Sequence, residues 1–449
     1  MNVEKSQNLT QGNILSTLIR FALPVLLALV LQALYGAIDL LVVGRFALTE
    51  DASGVATGSM LMQTATMAVT GLAMGVTILV GEYIGRGEAE QAGRAIGGGI
   101  FVFAVLGAGL TVFLAAFAGP LAALMHAPEE AFSQSAAYIR VCGAGAIFIT
   151  AYNVLGSIFR GIGDSKTPLF TVAVACCINI AGDLLFVAVF GLGAVGAALA
   201  TVLAQAFSVI ISLLLIRKRP LPFTFSRRFI RADRQFVGKE LRLGWPIALQ
   251  EVLVGFSFLL IQTIVNDFGV TFSAAIGVGE KVCAFIMLVP SAFEQSMSAF
   301  VAQNVGAGDP ARAKRALGCG IALSLCVGAV MFCVSFFRGD LLAAVFIKDA
   351  AVITEAHSYL KAYAIDCLLT AFLFCMIGYF NGREETFFVM VQGLVGALLV
   401  RTPAAWLISR TEGVTLFRIG LATPMSTAVQ IAMCLVMFLI LERRERSLT

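Results

Sequence analysis

Long apolar runs, separated by short polar stretches, recur along this chain from Phe21 to Leu441. A helix of about 20 apolar residues crosses a ~30 Å hydrocarbon core, and each run reaches that length. The pattern predicts spans near residues 18–42, 54–80, 95–118, 138–159, 168–190 and 194–216, then 243–266, 275–301, 316–337, 356–380, 387–408 and 419–441. The fold class this predicts is an all-α integral membrane protein with twelve transmembrane helices, six in each half.

The halves resemble each other. Val80 to Ala95 reads VGEYIGRGEAEQAGRA and Val301 to Ala316 reads VAQNVGAGDPARAKRA, an offset of 221 (301 minus 80). Tyr138 and Arg140 match Tyr359 and Lys361 at the same offset, and Phe159 and Gly161 match Phe380 and Gly382. Three anchors at one spacing predict duplication of a half-length unit. The expected organisation is an N-terminal lobe at 1–216, a connector at 217–241 and a C-terminal lobe at 242–449. An even number of spans per half gives both halves the same orientation, a parallel repeat. Substrate sites in such proteins tend to lie between halves that rock to give alternating access. Pro24 and Pro246 stand early in the first helix of each half, so both helices are candidates for bending.

Composition agrees with a membrane protein: 59% hydrophobic and 13% charged, against about 25% charged in soluble chains. The 44 glycines suit close helix approach in lipid. Basic residues are unevenly placed. The connector carries Arg217, Lys218, Arg219, Arg227, Arg228, Arg231, Arg234, Lys239 and Arg242, and Lys5, Arg86, Arg94, Arg160, Lys166, Arg312, Lys314, Arg315, Arg383, Arg443, Arg444 and Arg446 fall on the same side. The opposite side holds fewer, which predicts cytoplasmic termini in a multi-pass cell membrane protein, in a bacterium the inner membrane. The basic connector reads as an orientation signal near anionic lipid and not as a nucleic-acid site. The first apolar run is too long for a signal-peptide core and is expected to remain as the first helix. Ten scattered cysteines, without a CxxC pair, suggest neither a zinc site nor a disulfide framework. Cys319, Cys326 and Cys333 share one helix face and read as small packing residues.

Acids at membrane depth are costly and point to function. In the first half these are Asp39 and Asp183. Gln32, Tyr35 and Asp39 share one face of the first helix, Asn179 and Asp183 form an i, i+4 pair, and Thr201 and Gln205 form another. A carboxylate pair ringed by an amide and a hydroxyl can hold Na⁺ through hard oxygen ligands. It can equally hold a proton, because burial and a like charge favour the neutral acid. The plainer alternative is that each Asp caps a helix end near an interface. At an offset of 221 the second half replaces Asn179, Asp183 and Asp39 by Val400, Ala404 and Leu260, and Arg401 stands opposite Ile180. The second half has its own set: Glu251, Glu280, Lys281, Glu294, Asp366 and Arg401. Glu280 and Lys281 suit structural ion pairs, while Glu251, Glu294 and Asp366 are candidates for a negative cavity that favours cations.

An enzyme is the competing reading. Gly161 to Asp164, GIGD, fits the GxGD pattern of intramembrane aspartyl proteases, but it lies at a helix end beside Arg160, Lys166 and Pro168, where a turn and a capping Asp are ordinary. No HExxH, GxSxG or Walker pattern is present. Uphill transport would then draw on an ion gradient or a separate partner.

LTQGNI at Leu9 to Ile14, FALP at Phe21 to Pro24, Asp39 with Gly44, RGIGDSKTP at Arg160 to Pro168, NIAGD at Asn179 to Asp183 and AQNVGAG at Ala302 to Gly308 together resemble the multidrug and toxic compound extrusion (MATE) family. The resemblance implies a two-lobed secondary antiporter, with no enzymatic activity and no cofactor, that exports amphipathic organic cations in exchange for Na⁺ or H⁺. It implies coupling through Asp39, Asn179, Asp183 and Thr201 (the metal ligands if Na⁺ is the ion), bending at Pro24 and a substrate near Tyr35. With Gln32, Gln205, Glu251, Glu294 and Asp366 as cavity residues, the expected partners are a small organic cation and membrane lipid, with a monomeric chain. Two departures stand out: Leu184 replaces the proline that often follows the Asp of the fifth helix, and NGREET at Asn381 to Thr386 lacks the glycine pattern of its first-half counterpart. A flippase for a lipid-linked precursor is the alternative reading.

Overall fold

The computed structural model describes residues 9–218 and 221–447, and all regular elements among them are helical. Lys5 and Arg219, counted above toward orientation, lie outside the described residues. The first half runs through α1 (Ile14–Phe46), α2 (Thr49–Arg86), α3 (Ala89–Ala116), the short α4 (Ala118–Leu124), α5 (Phe132–Ala144), α6 (Ala146–Gly161), α7 (Lys166–Asp183) and α8 (Gly193–Lys218). The second runs through α9 (Arg234–Asn266), α10 (Val270–Ile286), α11 (Leu288–Gly306), α12 (Pro310–Ala344), α13 (Ala350–Gly382), α14 (Thr386–Leu394), α15 (Thr402–Ser409), α16 (Leu416–Gly420) and α17 (Ala422–Arg446). Among the described residues, 11 helical spans are long and apolar enough to cross a membrane, or 12 if the bent pair α5 and α6 is one span.

That pair corrects the uniform span expected at 138–159. It bends by 53° at Gly145, whose φ −91, ψ 3 leaves the helical region. The Val202 side chain fills the space that a Cβ there would need. Elsewhere the helices run on through the two prolines expected to let them bend. α1 continues through Pro24 and α9 through Pro246. The helix expected from 243 begins instead at Arg234, so part of the presumed connector is helix α9. The rest of the connector lies on α3: Thr224 donates its backbone N–H to the Ala89 carbonyl at 3.1 Å, and Gly93 and Gly97 give its backbone room. Cys326 and Cys333 are exposed on α12 and so are not core packing residues.

Contacts divide the chain into two compact units. Among the described residues, one comprises 9–12, Ile19–Ala248 and Ala302–Gly308, and the other Asn13–Leu18, Leu249–Val301 and 309–447. In the first, an apolar core of α2, α3 and α6 residues, among them Ile78, Leu79, Phe103 and Phe159, takes in Phe236 and Ile247 from α9. In the second, α13 is the buried central helix, and Tyr359 and Leu360 pack with Ile276 of α10 and Ile419 of α16.

The duplication is visible residue by residue in the backbone. Gly87 and Gly308, 221 apart (308 minus 87), end α2 and α11 in the left-handed region at φ 74 and 76. Gly163 has φ 82, and its counterpart Glu384 keeps that conformation at φ 65 although it is not glycine. The NGREET loop has therefore lost the residue but not the turn. Within the first unit, Gly85 backs onto the Gln303 carbonyl while Gly306 backs onto the Glu82 carbonyl. Glu82 and Gln303 are themselves 221 apart (303 minus 82), so the crossing is reciprocal.

Candidate functional site

The first unit gathers the polar groups of α1, α7 and α8. Asp39, Asn179 and Asp183 are all buried, at 5%, 1% and 0% exposure. The Asp39 and Asp183 carboxyl groups lie within hydrogen-bonding reach of each other. Asn179 donates through Nδ2 to Thr201 Oγ1 at 3.4 Å. Asp39 Oδ1, both Asp183 oxygens and Asn179 Oδ1 have no hydrogen-bond partner. Helical spacing explains the convergence: four residues separate Asn179 from Asp183 on one face of α7, and α7 packs along α8, which carries Thr201.

Tyr35 and Gln205 meet beside this cluster, with Asn179 and Thr201 lining the same narrow cleft as Tyr152, Val172, Ala175 and Ala204. Gln32 donates through Nε2 to the Tyr152 hydroxyl at 2.7 Å. Tyr152 is the residue that sequence reasoning missed. Its hydroxyl at mid-span was a signal of the same kind as Tyr35, but its partner Gln32 lies 120 positions away. The arrangement supplies carboxylate, amide and hydroxyl oxygens whose lone pairs are unused. Buried polar atoms are normally paired, so these four oxygens are ones that could accept a bound cation or share a proton. Na⁺, as a hard cation, takes such oxygen donors. Asp39, Asp183, Asn179 and Thr201 would hold it, and the ion would supply the positive charge that the two acids lack.

The second unit is built differently. Asp366 is buried within reach of the Arg401 charge, but no ion pair joins the two and Asp366 Oδ1 has no hydrogen-bond partner. Arg401 donates through NH1 to Ser257 Oγ at 3.2 Å and lies 4.5 Å from the Phe258 ring centroid. Glu251 and Glu294 are neighbours, and Glu294 accepts from Asn381 Nδ2 at 3.5 Å. Lys281 is exposed, and Glu280 Oε1 is buried without a partner, so the two do not pair with each other. At the GIGD motif, Asp164 Oδ1 accepts the backbone N–H groups of Lys166 at 3.1 Å and Thr167 at 3.0 Å. It caps α7, the ordinary structural role.

Two helices depart from α geometry next to these clusters. A π turn follows Asp183 at Leu184–Val189, where the sequence had replaced the expected proline, and another precedes α15 at Val395–Arg401. A π turn holds one residue more than an α turn. Each repeat carries one such turn.

The MatE family model matches residues 24–185 and 246–407, two segments that begin and end 222 apart (246 minus 24, 407 minus 185). Among curated proteins, the chain is 26% identical over 418 residues to the probable multidrug resistance protein YoeA of Bacillus subtilis, covering 92% of this chain and 90% of that one. It is 22% identical over 412 residues to the multidrug export protein MepA of Staphylococcus aureus, with 88% of each covered. It is 26% identical over 358 residues to an FAD transporter of Shewanella oneidensis, with 77% of each covered. A solved structure of a multidrug resistance MATE family transporter in an outward-facing conformation matches with a TM-score of 0.91 at 20% identity, over 99% of this chain and 100% of that one. A MATE structure in complex with MaL6 matches with a TM-score of 0.92 at 19% identity, over 99% and 100%. The chain belongs to the MATE family: it is a membrane transporter of two repeated lobes, and not an enzyme.

Proposed function

We propose that this transporter is a secondary antiporter that exports amphipathic organic cations in exchange for Na⁺ or H⁺ by alternating access. The observation that carries the reading is the contact between Asp39 and Asp183, two buried acids whose oxygens lack partners. Two carboxyl groups at this depth are costly unless something positive joins them. Sodium or a proton satisfies one state of the cycle, and a cationic drug competes for the same charge. By reciprocity, whatever the ion does to drug affinity the drug does to ion affinity. Tyr35, with Gln32 and Gln205 beside it, presents an aromatic face and amide groups to an amphipathic cargo. Glu251 and Glu294 offer a further pair of acids in the second lobe. Pro24 and Pro246 are the positions at which α1 and α9 bend. The basic bias puts both termini and the connector in the cytoplasm of a cell membrane, and the chain acts as a monomer.

The names of the Bacillus and Staphylococcus relatives support the drug-export reading. The Shewanella relative, named for FAD, supports an anionic dinucleotide as a second reading. Ligand linkage tests the ion site. Added Na⁺, or lowered pH, is expected to raise the Tm of the purified protein, since a ligand bound to the folded state alone stabilises it. Asp39→Asn and Asp183→Asn are expected to abolish the shift; a shift of wild-type size in both removes the site. Accumulation of FAD, or of a lipid-linked precursor, in vesicles that exclude organic cations favours those alternatives.

A further inference from the structure

The two repeats contain one niche twice, and they fill it with opposite chemistry. In the second unit, Leu18 of α1 lies on Gly320 of α12: its Cδ2 is 3.6 Å from where a Cβ on Gly320 would stand, and Met297 Sδ is 3.0 Å from that point. In the first unit, Glu240 of α9 lies on Gly99 of α3: its Oε1 is 3.5 Å from the corresponding point, with Val76 Cγ2 at 3.1 Å. Gly99 and Gly320 are 221 apart (320 minus 99), as are Val76 and Met297 (297 minus 76). Leu18 and Glu240 are 222 apart (240 minus 18), the offset of Pro24 and Pro246 on the same two helices. A carboxyl group thus stands where its twin has a methyl group.

Glu240 is 3% exposed, and neither carboxyl oxygen has a hydrogen-bond partner. The charged groups on the enclosing elements are engaged elsewhere. On α2, Glu82 pairs with Arg86 and with Lys239, the latter at 2.7 Å. On α3, Arg94 pairs with Glu90 at 2.7 Å and lies over the Phe229 ring of the connector. On α9 itself, Lys239 reaches Glu82 and the Tyr83 ring, and Arg242 is exposed. An ionised carboxylate here would be a buried charge without compensation, which a proton removes. Gly71 and Gly75 of α2 meet the α9 backbone at Ala248, Glu240 and Gly244, a close crossing of small residues flanked by Phe236 and Ile247 in the apolar core.

We infer that Glu240 is a proton-binding site separate from the Asp39 cluster, occupied while α9 is seated on α2 and α3 and emptied into water when that crossing opens. The proton leaves Glu240 Oε for water on the connector side, and the carboxylate it leaves is solvated until the crossing closes. The inference rests on a transporter that changes its access and not on the Asp39–Asp183 coupling site.

The test uses the full chain with Asp39 and Asp183 intact. Melting is measured from acidic to alkaline pH for wild type, Glu240→Leu and Glu240→Gln. Stability falls with rising pH wherever the folded state binds more protons than the unfolded one. Wild type should therefore lose Tm relative to both variants as pH rises, and the uncharged variants should have a flatter pH dependence of efflux in vesicles. A Tm difference that stays constant or reverses with pH overturns the site, and a wild-type pH profile of efflux in both variants overturns its part in the cycle. Because Gln is isosteric with Glu, the test survives a poorly folding Leu variant. The melting arm needs no cargo, so it succeeds or fails independently of the proposed exchange.

Discussion

At the scale of single residues, the gathering of polar groups around Asp39 was legible because membrane burial makes polar side chains conspicuous. Asp39, Asn179, Asp183 and Thr201 stand out against apolar neighbours, and the i, i+4 spacing of Asn179 and Asp183 already put both on one face. Tyr152 and Glu240 were not legible, for different reasons. Tyr152 acquires its role from Gln32, a contact that only the packing of α1 on α6 creates. Glu240 sits among basic connector residues, where a carboxyl ordinarily faces water, and only the early start of α9 carries it into the core. The twin niche yields a prediction at this scale. Leu18→Glu should place an unpartnered carboxyl beside Gly320 and Met297, lowering stability by about 1–3 kcal/mol in denaturant or thermal unfolding at neutral pH. Recovery at acidic pH would accompany it, while an unchanged Tm at both pH values would show that the niche tolerates charge.

At the scale of elements, span count and repeat were readable from apolar length and the 221-residue offset, whereas breaks were not. Gly145 is one glycine among 44, and nothing local distinguishes it. Only glycine fits at this bend, because Val202, distant in sequence, takes the space a Cβ would need. The π turns at Leu184–Val189 and Val395–Arg401 are likewise invisible in an apolar run. The reciprocal crossing of Gly85 on the Gln303 carbonyl and Gly306 on the Glu82 carbonyl has a direct test. Gly85→Ala and Gly306→Ala should each force backbones apart and destabilise by about 1–3 kcal/mol, the usual range for overpacking. Gly109→Ala, where a Cβ would meet nothing within 4 Å, is the control and should leave Tm unchanged. Equal melting of all three variants would contradict the crossing.

At the scale of the whole molecule, the lobes share a frame and differ in charge. The first brings Asp39 and Asp183 together, while the second buries Arg401 where its charge acts on Asp366 without forming an ion pair. Removing Arg401 takes its charge away from a buried acid, so Arg401→Met should destabilise, by less than the about 3–5 kcal/mol of a directly paired buried ion. Adding Asp366→Asn should recover much of that loss in thermal unfolding; no recovery would mean that Arg401 acts through Ser257 and Phe258 alone. Exchange of one monovalent cation for another moves no net charge, so the ~2.3 kcal/mol per charge per 100 mV of membrane potential would not drive it. Ion gradients then carry the work. The measurement that tests this most directly is efflux of an organic cation from reconstituted vesicles under a Na⁺ gradient alone and under a pH gradient alone, for wild type, Asp39→Asn and Asp183→Asn. The account predicts that at least one gradient drives efflux by wild type and that neither drives it in the two variants. Gradient-driven efflux at the wild-type rate in both variants would contradict it.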